Sequence, residues 1–401
     1  MSISLRSALP LGFKAFGVSA NIKKNGKKDL ALFYSEAPCV VAGMFTENSV
    51  KAAPVLLCEK VLKSGSAVHA VIANSGNANC MTGLKGVKNA EKTAALAAGY
   101  LGIDSKEVLV SSTGIIGKHL PVEKIEKAMS RLVSGLSKDS LKEAAEAIMT
   151  TDTFAKIVVK QLKIGSKVVM ISGVAKGAGM IAPKMQPADH ATMLSYIMTD
   201  ACILKKDLQL CLNEAVEPSF NSITIDGCMS TNDTVILMAN GESGTKPLAK
   251  GSADLKKFCA VLKEVCLDLA KMVVFDGEGA SKFIEIRVKG ASNRREAKAF
   301  GMSIANYNLF KCAMFGSDPN WGRIAAALGS MPSKLKWEKI DIELNGRPVF
   351  RKGKPVELKE KDFLKEKNIT VSVDLKMGSA DACVYTSDLS YEYVRINADY
   401  S

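Results

Sequence analysis

Between Ala67 and Gly114 the chain changes its apolar period twice. "AVHAVIANSG" (67–76) is a run of small and β-branched residues that ends in a polar Gly turn. "GVKNAEKTAALAAGYLG" (86–102) spaces its apolar residues three and four apart and stops at Gly102. "EVLVSSTG" (107–114) is again strand-like and runs into a second Gly turn. Periods near two and near 3.6 select strand and helix respectively. A chain that alternates them must bury sheet faces against helices, so layers of α/β or α+β type are expected.

The alternation continues. "VVAGMF" (40–45) predicts a strand, and "PVEKIEKAMSRLV" (121–133) and "SLKEAAEAIMTT" (140–151) predict helices. "AKIVVKQLKIGSKVVMISGVAKG" (155–177) predicts a hairpin around Gly165-Ser166. "SITIDGCMSTNDTVILMANG" (222–241) predicts two strands around a polar turn, and 252–274 a long amphipathic helix capped by Ser252. Beyond it, "KFIEIRVKG" is strand-like, 295–316 mostly helical, and "KIDIELNGRPVF" a hairpin at Asn345-Gly346. "ITVSVDLKMG" and "DACVYTSDLSYEYVRI" read as strands. No internal repeat or low-complexity tract interrupts the pattern.

Length and composition narrow the class. The 401 residues, 47% hydrophobic and 24% charged, allow a large core and two or three lobes. No apolar run is long enough for a membrane span, and "MSISLRSALPLGFKAFGVSA" lacks a signal-peptide pattern, so a cytoplasmic protein is expected. The ten cysteines form no C-x-x-C pair and read as reduced, small hydrophobes rather than zinc ligands. The formal charge of +13 comes from dispersed lysines. The densest cluster, "KKNGKK" (23–28), surrounds an Asn-Gly hairpin signal. With no nucleic-acid-reading motif, this basicity suits anionic small molecules better than nucleic acid.

Only three histidines are present, His69, His119 and His190, far apart in sequence. A His-based triad or multi-His metal site would need nearly all of them to converge in space, so another base is the expected reading. "SSTGIIG" (111–117) is either an ordinary β-turn or a strand end that aims donors at an anion. "VAKGAGMIAP" and "DGEGASK" miss the nucleotide-loop spacings. "NSGNANCMTG" and "FGSDPNWGRI" are polar Gly-containing turns of the kind that line pockets or satisfy their own backbone. Thr192 opens "TMLSYIMTDA" after a Gly- and Pro-rich loop. Its hydroxyl reads either as a cap or as a masked nucleophile. Cut before Thr192, the chain would carry hydroxyl and α-amine on one residue, and such an amine titrates at about 7.7–8.0 before burial lowers it.

Together these motifs identify a resemblance. "GVSANIKKNGKKDLAL", "ANSGNAN", "SSTGIIGKHLP", "MTTDTFAK", "GVAKGAGMIAP", "ATML", "SITIDGCMSTNDTV", "FDGEGASKFIEI", "FGSDPNWGRI" and "YVRINADYS" occur in order, and the chain resembles the ArgJ family nearly end to end. The resemblance implies a glutamate N-acetyltransferase, also termed ornithine acetyltransferase. It implies an N-terminal-nucleophile-like layered αββα sandwich of the DmpA/ArgJ type with a smaller C-terminal α/β lobe. It further implies self-cleavage between Ala191 and Thr192 into an α chain, 1–191, and a β chain, 192–401, that assemble as an α2β2 heterotetramer. Thr192 would then begin a strand, against the ambiguous helical spacing of its segment.

Carried over by residue, Thr192 is the nucleophile and Thr113 and Gly114 form the oxyanion hole. Thr150, Lys176, Glu278, Asn397 and Ser401 bind substrate. The implied substrates are N-acetylornithine, glutamate and, as a co-substrate, acetyl-CoA, with no bound cofactor or metal. Lys176 and Asn397 would hold the α-carboxylate, and Glu278 the ornithine side-chain ammonium. Two departures stand out. "QPADH" (186–190) is inserted before the scissile bond, and the chain ends one residue short of the family's usual tail, which bears on Ser401. The competing readings are a monofunctional ornithine acetyltransferase, a self-cleaving aminopeptidase of the same fold, and an unprocessed binding protein.

Overall fold

The structure, a computed structural model, describes residues 7–187, 193–358 and 362–399. Ala191, Thr192 and Ser401, with most of the inserted "QPADH", lie outside the described residues. The chain forms two compact units: 1–177 with 183–220 and 229–273, and 178–182 with 221–228 and 274–401.

In chain order the first unit contains β1 (Phe13–Val18), β2 (Leu30–Thr46), α1 (Ala53–Ser64), β3 (Val68–Asn77), α2 (Gly83–Leu101), β4 (Val108–Ile115), α3 (Val122–Ser134), α4 (Leu141–Ala147), β5 (Lys156–Ile164), β6 (Lys167–Lys176), β7 (Met185–Pro187), β8 (Leu194–Thr199), α5 (Lys205–Val216), β9 (Thr234–Ala239) and α6 (Ala253–Phe275), whose last residues enter the second unit. The strands run in the order β4-β3-β2-β9-β8-β6-β5, with β1 and β7 paired to β2. The long β2 breaks register between Tyr34 and Cys39. Its first part pairs with β3 and its last with β9, so one strand serves two sheet halves.

Alternation along the strands builds four layers. Leu30, Leu32, Ala70, Ile72, Val108 and Val110 pack against Ala94, Ala97, Ile125 and Met129 of α2 and α3. The opposite residues, Phe33, Val71 and Leu109, meet Val174, Leu194, Tyr196, Met198 and Ile236 of the other sheet half. Phe33 and Tyr196 have ring centroids 4.8 Å apart in this inner core. The outer face of the second half is covered by α5 and α6. A Cβ on Gly173 of β6 would stand 2.8 Å from Leu269 of α6, and Gln209 of α5 accepts from the Gly43 amide of β2 at 3.2 Å. This is the αββα sandwich that the resemblance implied.

The second unit adds β10 (Phe283–Ala291), α7 (Arg294–Ala305), α8 (Asn308–Phe315), α9 (Trp321–Gly329), β11 (Asp341–Leu344), β12 (Arg347–Arg351), β13 (Lys354–Pro355), β14 (Asn368–Asp374), β15 (Ala380–Ser387) and α10 (Tyr391–Ala398). Its sheet has the order β13-β12-β11-β14-β10-β15. One face, including Ile284, Ile286, Val371 and Val384, packs on Phe300, Ile304, Phe310 and Ile324 of α7–α9. This is the smaller α/β lobe.

Three expectations are corrected. The segment at 222–226 makes only an isolated bridge, Ile223 to Tyr385, rather than a strand. Residues 391–398 are a helix, because Ser390 caps it by accepting from the Tyr393 amide at 3.3 Å. Cys211 of α5 and Cys259 of α6 form a disulfide, so not all ten cysteines are reduced. Their Cα atoms are 5.1 Å apart, within bonding reach, although 48 residues separate them in sequence. Other expectations hold. Ser252 accepts from the Leu255 amide at 3.1 Å as the cap of α6. The lysine-rich segment does join two paired strands, but Val18 and Leu30 close the ladder, so residues 19–29 form a longer loop rather than a tight Asn-Gly turn. Among the described residues no helix is long and apolar enough to cross a membrane.

Candidate active site

The first unit gathers four of the expected site residues at one end of its sandwich. Parallel pairing sets Ser75 beside Thr113 and Gly76 beside Gly114. A Cβ on Gly114 (φ +130°) would lie 2.4 Å from the Gly76 carbonyl carbon, so the two strand ends approach as only glycine permits. Behind them Ser112 donates to Asn74 Oδ1 at 2.6 Å, and Asn232 Nδ2 donates to the carbonyls of Ala78 (2.6 Å) and Ser112 (2.8 Å). The turn is therefore fixed from its outer side, while Thr113 stays on the face of Leu109.

Lys176, the last residue of β6 and 7% exposed, donates to Thr113 Oγ1 at 3.2 Å. A threonine oxygen that accepts from an ammonium keeps its own O–H for a second partner. Lys176 also stands opposite Leu194, the first residue of β8. The Thr234 amide donates to the Met193 carbonyl at 2.5 Å, which fixes the chain one residue after Thr192. The strand reading of this segment is thus correct from Leu194 onward.

Asp152 organises the rest. Its Oδ1 accepts from Lys156 Nζ and from the Gly177 amide, each at 2.7 Å, and its Oδ2 from the Thr150 amide at 2.9 Å. Burial alone would raise this carboxyl. Lys176, Lys156 and the Gly177 amide outweigh burial and hold it at about 2. Asp152 therefore ties Thr150 to the exit of β6. Asp233 is the opposite case. It is 1% exposed and neither oxygen has a hydrogen-bond partner among the described residues. Burial pushes it well above the usual carboxylate range, only partly offset by Lys176.

In the second unit Glu278 is buried. Its amide donates to the Ala178 carbonyl at 2.8 Å, and its Oε2 accepts from Asn397 Nδ2 at 2.8 Å. A Cβ on Gly179 would stand 2.3 Å from Oε2, so this carboxylate lies directly on the 178–182 loop. Asp226 holds that loop by accepting from the amides of Met180 (2.6 Å) and Ile181 (3.0 Å), and it accepts from Tyr393 Oη of α10 at 3.2 Å. The structure thus joins Thr113, Gly114, Thr150 and Lys176 in one unit and Glu278 with Asn397 in the other. Sequence reasoning missed Asp152, Asp226 and Asp233 as organisers, although each lies inside a motif quoted for the resemblance.

A layered α/β sandwich thus carries a glycine-paired strand end, a buried lysine and a threonine hydroxyl at one end. The model of the ArgJ family matches residues 14–401, and the chain belongs to the ArgJ family. The arginine biosynthesis bifunctional protein ArgJ of Geobacter sulfurreducens is 47% identical over 394 residues, covering 97% of this chain and 98% of that protein. The glutamate N-acetyltransferase of Methanococcus maripaludis is 44% identical over 407 residues, covering 98% and 96%. Among solved structures, the arginine biosynthesis bifunctional protein ArgJ of Bacillus halodurans superposes with a TM-score of 0.50 at 38% identity. That match covers 98% of the solved chain and 51% of this one, so the solved chain is about half as long. The protein is accordingly an acyltransferase of arginine biosynthesis.

Proposed function

We propose that the enzyme moves the acetyl group of N2-acetyl-L-ornithine to L-glutamate through an acetyl-Thr192 intermediate, after cutting itself between Ala191 and Thr192. The observation that carries this reading is the pairing of Lys176 with both Thr113 and the first residue of β8. It supports the reading in which Thr113, as oxyanion donor, and a cation serve the residue that precedes β8. The half-length solved chain of the Bacillus halodurans relative supports a cut of this kind.

In maturation, Thr192 Oγ attacks the Ala191 carbonyl carbon. The hydroxyl proton passes to the Thr192 nitrogen as the C–N bond breaks. Water then opens the ester, leaving a carboxylate on Ala191 and a free α-amine on Thr192. In turnover that amine takes the Oγ proton as Oγ attacks the acetyl carbonyl, and the proton goes to the departing ornithine amine. The Thr113 hydroxyl and Gly114 amide hold the oxyanion, where one lost donor costs about 10²–10³ in turnover. The amine of glutamate then attacks acetyl-Thr192, and Oγ recovers a proton. Thr150, Lys176, Glu278 and Asn397 bind the amino acids, and Ser401 is a further ligand in this reading. No metal or bound cofactor takes part. Acetyl-CoA serves as a second acetyl donor, and the cut chains assemble as an α2β2 heterotetramer.

Intact mass under denaturing conditions tests the first step. Two fragments, the second beginning at Thr192, are expected from the wild type and one uncut chain from Thr192→Ala. An uncut, active wild type would overturn the mechanism. Glutamate with acetyl-CoA, without acetylornithine, separates the bifunctional enzyme from a monofunctional one.

A further inference from the structure

We infer that Lys23 supplies a second cation, beside Lys176, to the subsite that takes the α-carboxylate of the amino-acid substrates. Nothing in the motif reading gave this lysine a role; it reads there as one of several decorating a loop. The structure puts it elsewhere. Asp29, fully buried, accepts from the amides of Ala20 (2.6 Å) and Lys23 (2.9 Å) and so pins the start of the β1–β2 loop. From there the Lys23 side chain crosses the strand end that pairs with Gly114. A Cβ on Gly76 would stand 3.0 Å from Lys23 Cγ. Its Nζ donates to the carbonyls of Met149 (2.7 Å) and Lys28 (2.9 Å), which brings it to the residue before Thr150. Two of its three N–H groups are thereby used, and the third has no acceptor among the described residues.

Charges of both signs surround it. Burial pulls Lys23 down to about 8, and Lys176 and Lys27 act in the same direction, while Asp29 and Asp152 oppose them. Lys156 belongs to the same cluster through its ion pair with Asp152 at 2.7 Å. Lys23, Lys156 and Lys176 thus face Asp152 and Asp29, and Asp233 is held toward its neutral form. The third N–H of Lys23 is open to an anionic acceptor. A carboxylate carried by both the acetyl donor and the acceptor satisfies that requirement at each half-reaction. The inference rests on the reading above that these amino acids are the substrates and that Lys176 lies in their site.

The test compares two acetyl donors, N-acetylornithine and N-acetylputrescine, which differ only by the carboxylate. A charge-assisted hydrogen bond to a substrate is worth about tenfold to a hundredfold. Lys23→Gln keeps donors for the Met149 carbonyl but loses the charge. It is expected to lower kcat/KM for acetylornithine by that factor and to leave acetylputrescine within about twofold. Lys23→Arg is expected to recover most of the loss. The wild-type kcat/KM for acetylornithine should fall above about pH 8, as free Lys23 loses its proton, and this limb should vanish in Lys23→Gln. An equal fall for both donors would make Lys23 a brace for the Met149 carbonyl and sink the inference, as would no fall for either. Wild-type enzyme inert toward acetylornithine would instead remove the reading on which the inference stands.

Discussion

Two buried aspartates show how one residue type is driven in opposite directions. Asp152 sits among lysines and backbone amides, and Asp233 sits in a dry position with no partner among the described residues. The Asp152–Lys156 pair has both side chains fully buried. Removing one charge from such a pair leaves the other uncompensated in a low-dielectric interior. Asp152→Asn is therefore expected to destabilise the fold by about 3–5 kcal/mol, measured by denaturant unfolding at neutral pH. The native carboxyl is held below its unfolded value, so its contribution is complete above about pH 4. It is lost as pH falls toward about 2, and the gap between wild type and variant should close over that window. None of this was legible locally. Asp in "TTDTF" looks like a turn residue, and although Lys156 follows only four residues later, Lys176 is brought near by the sheet alone. The strand that ends at "SSTG" is legible from its period, whereas a role for Thr113 and Gly114 comes only from the resemblance.

At the scale of elements, strands that alternate cleanly were read correctly, including β3, β4 and the β5–β6 hairpin. The failures are informative. The 391–398 segment is rich in aromatic and β-branched residues, yet Tyr391 is 85% and Val394 63% exposed, so no sheet face claimed them. Ser390 followed by a Glu in the first turn was the helix signal that the apolar pattern masked. Residues 222–226 fail as a strand because consecutive amides go to different partners, Thr224 to the Tyr385 carbonyl and Ile225 to that of Ile181 in the loop that Asp226 holds. The β3–β4 pair is the most constrained element of the site. A methyl at Gly114 cannot fit against the Gly76 carbonyl, and φ +130° is unfavourable for it besides. Gly114→Ala should part the two strand ends and lower turnover by at least about 10²-fold. Substrate affinity, read by calorimetry, should change much less. Equal losses in both would argue for collapse of the site rather than a displaced oxyanion donor.

For the molecule as a whole, the strand order matters more than the layer count. β2 and β6 precede Thr192 in sequence, β8 and β9 follow it, and the order is β2-β9-β8-β6. A cut before Thr192 would thus leave two strands of one piece clasped between two of the other. The pieces cannot part without breaking both the β2–β9 and the β6–β8 ladders. Fragments of the wild type are expected to elute together in native size-exclusion chromatography and to separate only in denaturant. Elution as separate species would contradict the fold. The strand order also bears on assembly. Neither half presents a finished docking face, since each lacks strands that the other inserts. While the chain is uncut, the 191–192 peptide bond keeps the halves at a high effective concentration, and folding is unimolecular. Once the bond is gone, recovery from denaturant becomes a second-order encounter that slows on dilution. The peptide bond that the proposed maturation spends would thus also be the tether that threads the sheet, and the cut would make the folded state easier to lose than to regain.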